Sequence, residues 1–366
     1  MDQDNTESVS QTKKSAWYWV LLILGILGIL FVGFIIYSRY FLDKETVGEI
    51  FNFTPTQKVV KSVTSGLDGT IAPEDVANRH PLAVMIENHP EARPQAGLDE
   101  ASFVYEAITE GGITRFMAVY GPRIPTKVGP VRSARTYYID WLSEFDAFYA
   151  HVGGNLDALD KITQLGILDL DQFGVGDAAY WREPAKGVAV EHTMFADPQK
   201  LYAAASKKGW PKTKEIDNYS FKKEVTPEAT VSQTISIDFS SPQYKVDWAF
   251  SPTENSYLRT MGGYAHKDRV TGNQLSGKNI VILAIERTPT TTAINEEGFA
   301  MQTIGEGKAL VFQEGKQTVA TWKKKTRTDM TTLINTDGDE IKLIPGQTWF
   351  EIVPPDVFGK VSVQLQ

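Results

Sequence analysis

The chain has 366 residues, carries a formal net charge of −8 and contains no cysteine. Such an acidic chain lacks the basic face that general nucleic-acid binding requires. The absence of cysteine excludes disulfides, thiolate metal sites, a cysteine nucleophile and lipid attachment through a cysteine. With 42% hydrophobic residues the composition is that of a globular protein, and the length suggests two folded domains plus appendages.

The first element is an uncharged apolar run from Trp17 to Tyr37. About 20 apolar residues cross a bilayer, so the run predicts a transmembrane helix. No small-residue cleavage site follows it, which favours an uncleaved anchor over a signal peptide. The flanking charges are nearly balanced, but a long following region is translocated largely regardless of charge. We therefore expect a single-pass protein of the cell membrane, with residues 1–16 cytoplasmic and the C-terminal domains extracellular.

Residues 38–77 are polar and are predicted to be a linker, with one strand at Lys58–Val63. Residues 78–228 are predicted to form a mixed α/β domain. Apolar runs at 81–87, 102–108 and 115–120 predict buried strands. A helix is predicted from Pro130, with Tyr138 and Tyr149 on its apolar face. Two further helices are predicted after the N-cap residues Asn155 and Asp197.

Residues 229–366 are predicted to form an all-β domain, because helix signals vanish and turn residues separate short strand-like runs. The predicted strands are Thr234–Phe239, Lys245–Phe250, Asn279–Ile285, Ala309–Phe312, Thr318–Trp322, Glu340–Leu343 and Thr348–Ile352. We therefore expect an α+β fold, in which the transmembrane helix and the mixed α/β domain are followed by a β-rich domain of sandwich or barrel type.

The stretch KVGPVRSAR, residues 127–135, places three cations on one connection. Pro130 suits a helix start, and Arg132 and Arg135, three apart, would share one helix face. Free N–H groups at a helix N-terminus, two guanidiniums and the Ser133 hydroxyl would suit a phosphate or a carboxylate. The alternative is that both arginines pair with nearby carboxylates, such as Glu106, Glu110 or Asp140.

Two glycine-containing stretches are candidates for the same site. In the functional interpretation Glu110 and Arg115 line one cleft, and Gly153 and Gly154 form a loop that a ligand approaches closely. In the structural interpretation both stretches are tight turns.

The candidates for acid–base catalysis are Asp140, Glu191 and His192. A glutamate beside a histidine can transfer protons, but adjacent residues on a strand point to opposite faces. The five histidines show no metal-ligand spacing, so no metal site is predicted. No Walker loop, nucleophile elbow or dinucleotide fingerprint occurs, and no cofactor is expected.

Several motifs resemble the YerB-like lipoprotein family of Gram-positive bacteria, from about residue 78 to the C-terminus. They are RHPLAVMIENHPEARPQAGL, VYEAITEGGITRFMAVY, VGPVRSAR, EFDAFYAHVGG and PGQTWFEIVP. The resemblance implies two domains of unknown biochemical function, one mixed α/β and one β-rich, displayed outside the cytoplasmic membrane. It implies no established catalytic residues. Without a cysteine this chain cannot be lipidated, so residues 17–37 must be the anchor.

A single anchor, a strand leading to a Pro/Arg loop and a later Gly-Gly helix start are also similar to LytR-CpsA-Psr phosphotransferases. Those enzymes move glycopolymers from polyprenyl carriers to peptidoglycan and use arginines on the pyrophosphate. Their Arg-Asp-Thr signature is replaced here by Arg132-Ser133-Ala134.

These observations predict an extracytoplasmic protein that binds an anionic envelope component, such as a wall polymer or a polyprenyl phosphate. Arg132, Ser133 and Arg135 would grip the anion. One alternative is a glycopolymer phosphotransferase that uses the same arginines. The other is a protein-interaction scaffold in which the arginines are structural.

Overall fold

The computed structural model describes residues 10–41, 61–216, 219–227 and 232–365. The chain divides into two compact units, residues 1–59 and 60–366. Residues 1–9 of the predicted head (1–16) and residues 42–60 of the predicted linker (38–77) lie outside the described residues.

The described part of the first unit is one helix, α1 (Ser10–Phe41). Its segment Trp17–Ser38 has a mean hydropathy of 3.0 and is long enough to cross a membrane. The helix that the sequence predicts at 17–37 is therefore confirmed.

The second unit combines strands with short helices. In chain order the strands are β1 (Ser62–Thr64), β2 (Ile71–Pro73), β3 (Leu82–Glu87), β4 (Phe103–Ile108), β5 (Thr114–Tyr120), β6 (Phe148–Ala150), β7 (Tyr180–Arg182), β8 (Met194–Ala196), β9 (Gln233–Asp238), β10 (Lys245–Ser251), β11 (Ser256–Met261), β12 (Tyr264–Ala265), β13 (Ser276–Gly277), β14 (Asn279–Ala284), β15 (Arg287–Thr291), β16 (Glu297–Met301), β17 (Gly305–Gln313), β18 (Lys316–Lys324), β19 (Thr332–Asn335), β20 (Thr348–Val353) and β21 (Ser362–Leu365). The helices are α2 (Glu74–Ala77), α3 (Thr136–Leu142), α4 (Leu156–Leu165), α5 (Gln172–Val175), α6 (Pro198–Lys207) and α7 (Pro355–Phe358).

A nine-stranded mixed sheet forms the centre of this unit, in the order β19-β18-β17-β14-β20-β4-β5-β3-β6. Strand β20 runs parallel to both of its neighbours, β14 and β4. Strands from both predicted domains, 78–228 and 229–366, therefore belong to one sheet. The boundary between those domains stays a prediction.

A six-stranded antiparallel sheet, β12-β11-β10-β9-β21 with β13 beside β11, covers one face of the central sheet. Trp248 of the smaller sheet meets Trp349 of the larger one edge to face, 5.2 Å apart between ring centroids. Helices α3 and α4 cover the opposite face through Tyr138, Trp141 and Ile162. The second unit is thus a sheet-on-sheet sandwich with helices on its outer side, which confirms the α+β class.

The capping residues position two helices as predicted. The Asn155 side chain accepts from the Ala158 N–H, and Gly166 ends α4 in the left-handed conformation. The Asp197 side chain accepts from two N–H groups at the start of α6, where Pro198 takes the first position. The side-chain acceptors satisfy N–H groups that otherwise have no partner within the helix.

The structure differs from the sequence prediction at three elements. The helix expected from Pro130 begins only at Thr136, and Tyr149 lies on β6 rather than on that helix. The strand expected at Glu340–Leu343 is reduced to isolated bridges. Residues 61–77 of the predicted linker belong to the second unit, where Leu67 is 1% exposed. For the segment before Thr136, bridges to distant parts of the chain replace the predicted helix.

Candidate functional site

The segment 127–135 is extended rather than helical. Val128, Gly129, Val131 and Ala134 form isolated bridges with four different parts of the chain. These bridges connect the segment to strands and loops that are far apart in the sequence. The expectation that Pro130 starts a helix with Arg132 and Arg135 on one face is therefore wrong. Arg135 is instead the N-cap residue of α3, which is seven residues long.

Arg132 pairs with Glu87, the last residue of β3. The Glu87 carboxylate is buried and accepts from Arg132 Nε through Oε2. Through Oε1 it accepts from the backbone N–H groups of Asn88, at 3.0 Å, and His89, at 3.1 Å. Burial by itself raises the pKa of Glu87, but the charges of Arg115 and Arg132 outweigh it and hold the pKa below its ordinary value. Glu87 is therefore ionised at neutral pH.

Arg135 pairs with Glu110 in a two-pronged contact. Its Nε lies 2.7 Å from Oε1 and its Nη2 2.9 Å from Oε2. Burial opposes ionisation of Glu110, but the hydrogen bonds and the charge of Arg135 lower the pKa of the carboxyl. The alternative that the arginines pair with carboxylates is thus correct for Glu110. The other two carboxylates bind elsewhere, since Glu106 pairs with Arg259 and Asp140 pairs with Lys161.

Arg115, at the start of β5, is the third guanidinium of the cluster and is 5% exposed. Its Nη1 donates to the Ser133 carbonyl at 3.0 Å, and its buried Nε–H has no partner. Among the described residues no carboxylate lies within 4.0 Å of this guanidinium. Burial and the charge of Arg135 lower the pKa of Arg115, while the charge of Glu87 opposes them. Of the three guanidiniums, Arg132 and Arg135 each pair with a carboxylate, and Arg115 has no such partner among the described residues.

Ser133, Gly153 and Gly154 build the frame of the cluster. The Gly153 carbonyl accepts from the Ala134 N–H at 2.9 Å, and the Gly153 N–H donates to Asp171 at 2.9 Å. A Cβ at Gly154 would lie 3.3 Å from the Ala134 Cβ. The Gly-Gly pair therefore lets two backbone segments approach each other. Within the described chain the Ser133 hydroxyl has no hydrogen-bond partner.

The structure brings one of the three catalytic candidates to the cluster. His192 is 9% exposed, and its Nδ1 lies 3.4 Å from Glu87 Oε2. Asp140 accepts from Lys161 and Thr303, each at 2.7 Å, so its carboxylate is already engaged. Glu191 is exposed.

Glu87, His89, Glu91 and Tyr149 are cluster residues that the sequence did not single out. The imidazoles of His89 and His192 are stacked, with ring centroids 4.4 Å apart. The buried Tyr149 hydroxyl has no partner, and burial raises its pKa. A polar residue ending an apolar strand, as Glu87 does in LAVMIE, is the one local signal that was available.

Two family models match the chain in succession. "Protein of unknown function (DUF3048) N-terminal domain" matches residues 67–211, and "Protein of unknown function (DUF3048) C-terminal domain" matches residues 235–350. The chain belongs to the DUF3048 family.

Similarity to one named protein extends through both DUF3048 domains. The chain is 29% identical to "Putative lipoprotein YerB" of Bacillus subtilis (strain 168) over 297 residues, which are 80% of this chain and 87% of the relative. The crystal structure of YerB from Bacillus subtilis superposes with a TM-score of 0.73 at 28% identity, and covers 82% of this chain and 99% of that one. These matches confirm the resemblance to YerB-like proteins and the two-part architecture.

Proposed function

We propose that this DUF3048 protein is a single-pass membrane protein whose second unit lies outside the cell and binds an anionic component of the cell envelope. Two facts support the location. The apolar segment of α1 is long enough to span a bilayer, and the relative YerB is named as a lipoprotein. A chain without cysteine cannot carry a lipid on cysteine, so α1 takes over the role of the anchor.

The observation that carries anion binding is the state of Arg115. Its guanidinium is buried, one of its N–H groups has no partner, and no described carboxylate is close enough to pair with it. An unpaired buried charge is costly, and an unsatisfied buried donor adds about 1–3 kcal/mol. A phosphate or carboxylate bound beside Arg115 would relieve both costs.

Arg132 supplies the accessible part of the proposed anion-binding site. It contacts Glu87 through Nε alone, and within the described chain both of its Nη groups lack a protein partner. Its side chain is 27% exposed, so an anion can reach these groups. Guanidinium groups hold phosphate and carboxylate through charge-assisted, often two-pronged, hydrogen bonds. The ligand is therefore an anionic group of the envelope, such as a polyprenyl phosphate or a phosphate-containing wall polymer.

The test is titration calorimetry of the full chain in detergent micelles against three ligands in separate runs. These are a polyprenyl pyrophosphate, a soluble glycerol-phosphate oligomer and inorganic phosphate. Wild type is compared with Arg115→Gln, which keeps a donor for the Ser133 carbonyl but removes the charge. Arg123→Ala is the matched control, because it removes one positive charge from a half-exposed surface position that faces Glu100.

We expect Arg115→Gln to weaken binding by a factor of about ten to a hundred, and Arg123→Ala to leave it unchanged. Because the substitution removes an unpaired buried charge, the variant should melt no lower than wild type. The proposal is wrong if wild type binds none of the three ligands, or if Arg115→Gln binds as wild type does.

A second candidate is a protein-interaction scaffold, and the ion pairs Arg132–Glu87 and Arg135–Glu110 favour it. In that case the arginines only hold the loops together. An Arg115→Gln variant that melts well below wild type, together with no anion binding by wild type, would support this candidate.

A further inference from the structure

We propose that His89, Glu91 and His192 form a binding site for a divalent transition-metal ion of the zinc class. The three residues offer two imidazole nitrogens and one carboxylate oxygen, and these three atoms all lie within 4.8 Å of one another. Two histidines and one glutamate are a ligand set that zinc takes in sites where a fourth position stays open to water. The proposal goes beyond anion binding, because it concerns different side chains and a ligand of opposite charge.

His192 is the buried ligand of the set. It is 9% exposed, and its Nδ1 has no hydrogen-bond partner. A buried ring nitrogen without a partner is costly, and a cation bound at the other ring nitrogen, Nε2, would fix the ring so that Nδ1–H can donate to Glu87. Glu87 Oε2 lies 3.4 Å from this nitrogen. A carboxylate beside a histidine is a common neighbour of metal-binding imidazoles, because it fixes the ring orientation and raises its basicity.

Glu91 is held in place by the same turn that carries His192. Its Oε2 accepts from the Ala189 N–H at 3.1 Å, and Ala189 is the N-cap residue of the turn Val190–His192. The other carboxylate oxygen stays available for a metal. Two of the three ligands are thus fixed relative to each other by the fold, although they lie about a hundred positions apart in the chain.

Local charge also suits a divalent cation. Glu87 and Arg132 balance each other in their ion pair, and Glu91 places its negative charge directly among the three ligands. His89 and His192 are metal ligands in their neutral form, so they do not oppose the cation. The borderline-soft imidazole nitrogens select zinc-class ions over calcium or magnesium, which prefer oxygen ligands.

Coordination requires one movement. The two imidazole rings are parallel within 1°, so the lone pairs of their nitrogens lie in parallel planes and do not meet at one point. His89 is the ring that can turn, because it is half-buried and its ring makes one described hydrogen bond, from the Glu91 N–H at 3.3 Å. Rotation about the Cβ–Cγ bond of His89 breaks the weak hydrogen bond from the Glu91 N–H and the stacking on His192, and it allows a metal–nitrogen bond to form.

The test is a zinc titration of the full chain in detergent micelles after treatment with EDTA, read by competition with a fluorescent chelator. His89→Phe keeps an aromatic ring against His192 but removes the nitrogen ligand. Glu91→Gln keeps an acceptor for the Ala189 N–H but removes the anionic oxygen. Glu191→Gln is the control, because this exposed glutamate is next to His192 in sequence and is not among the three ligands.

We expect wild type to bind about one zinc ion per chain, and Co²⁺ in its place to give the intense visible absorption of a four-coordinate site. His89→Phe and Glu91→Gln should each weaken binding by a factor of about ten or more, since even losing a neighbour of a ligand costs tenfold to a hundredfold. Glu191→Gln should bind as wild type does. Substoichiometric binding by wild type, or equal binding by all four proteins, would overturn the proposal. None of the three ligands used to test the proposed function is present in the titration, so its outcome is independent of that function.

Discussion

Glu87 and Arg115 are register partners on the adjacent strands β3 and β5, yet their side chains do not form an ion pair with each other. Glu87 turns to Arg132 and to two backbone N–H groups, and Arg115 turns to the Ser133 carbonyl. The strands thus place two opposite charges side by side, but each of them binds a residue of the segment 127–135 instead of the other charge. This division leaves Arg115 without a described carboxylate partner.

The Arg132–Glu87 pair gives the first prediction. Arg132→Ala leaves the buried Glu87 carboxylate without its cation and should lower the free energy of unfolding by about 2–4 kcal/mol. The double variant Glu87→Gln/Arg132→Gln removes both charges and should recover at least half of the loss. Urea denaturation of the full chain in micelles measures the three proteins. A double variant less stable than Arg132→Ala would show that the loss of stability does not come from leaving the Glu87 carboxylate without its cation.

Glu351 gives a prediction about pH. It shares Arg259 with Glu106, and all three side chains are fully buried. Burial, reinforced by the charge of Glu106 and opposed by that of Arg259, raises the pKa of Glu351 to about 8, from an ordinary value of 4.5. Between these two values the folded protein keeps a proton that the unfolded chain has lost. The contribution of Glu351 to stability is therefore full below about pH 4.5 and is lost as the pH rises towards 8.

Glu351→Gln cannot ionise, and its amide can replace the protonated carboxyl beside Glu106. We expect the variant to gain stability relative to wild type as the pH rises from 5 to 8, by up to about 1.4 kcal/mol per pH unit. Thermal melts across this range measure the difference. A constant difference between the two proteins at every pH would contradict a raised pKa.

Gly129 gives a prediction about the segment 127–135. Its φ is +136°, and a Cβ there would lie 2.8 Å from Val131 N and 2.9 Å from Met194 O, both backbone atoms. Gly129→Ala should cost more than about 3 kcal/mol, because neither neighbour can move without breaking a backbone bridge. Gly111→Ala is the control, since Gly111 has φ +67° and open space around it, and should cost about 1 kcal/mol. Equal melting temperatures for the two variants would show that close approach at Gly129 is unimportant.

The cap of α6 gives the last prediction. Asp197 accepts from the N–H groups of Gln199 and Lys200. Asp197→Ala should lower stability by about 1 kcal/mol, and Asp197→Ser, which keeps an acceptor, should recover most of it. Thermal melts of the two variants and wild type decide this. The expectation fails if alanine and serine are equivalent at this position.

Local patterns predicted the elements whose stabilising contacts lie within a few residues. The apolar run at β3 and the caps Asn155 and Asp197 are examples, because neighbouring residues in the sequence determine a buried strand or an N-cap. Pro130 misled the prediction, because proline is equally suited to an extended segment. The hydrogen bonds that decide between the two conformations connect residues 127–135 to distant strands and loops.

The candidate sites were predictable only in part, for the same reason. KVGPVRSAR is visible as a group of cations, but its partner Glu87 lies about 45 positions earlier in the chain. His89 and His192 are about a hundred positions apart, and no spacing rule connects them. Such sites arise from strand order in the sheet, which a single sequence does not specify at the level of side chains.

The position of β20 has a consequence for how the chain is made. This strand, residues 348–353, lies between β4, residues 103–108, and β14, residues 279–284, in the middle of the central sheet. During synthesis β4 and β14 each emerge with one edge unpaired. The partner of both edges is β20, which is translated long after β4. The nascent chain therefore has exposed strand edges, which can pair with other chains, until nearly all of its residues have been translated.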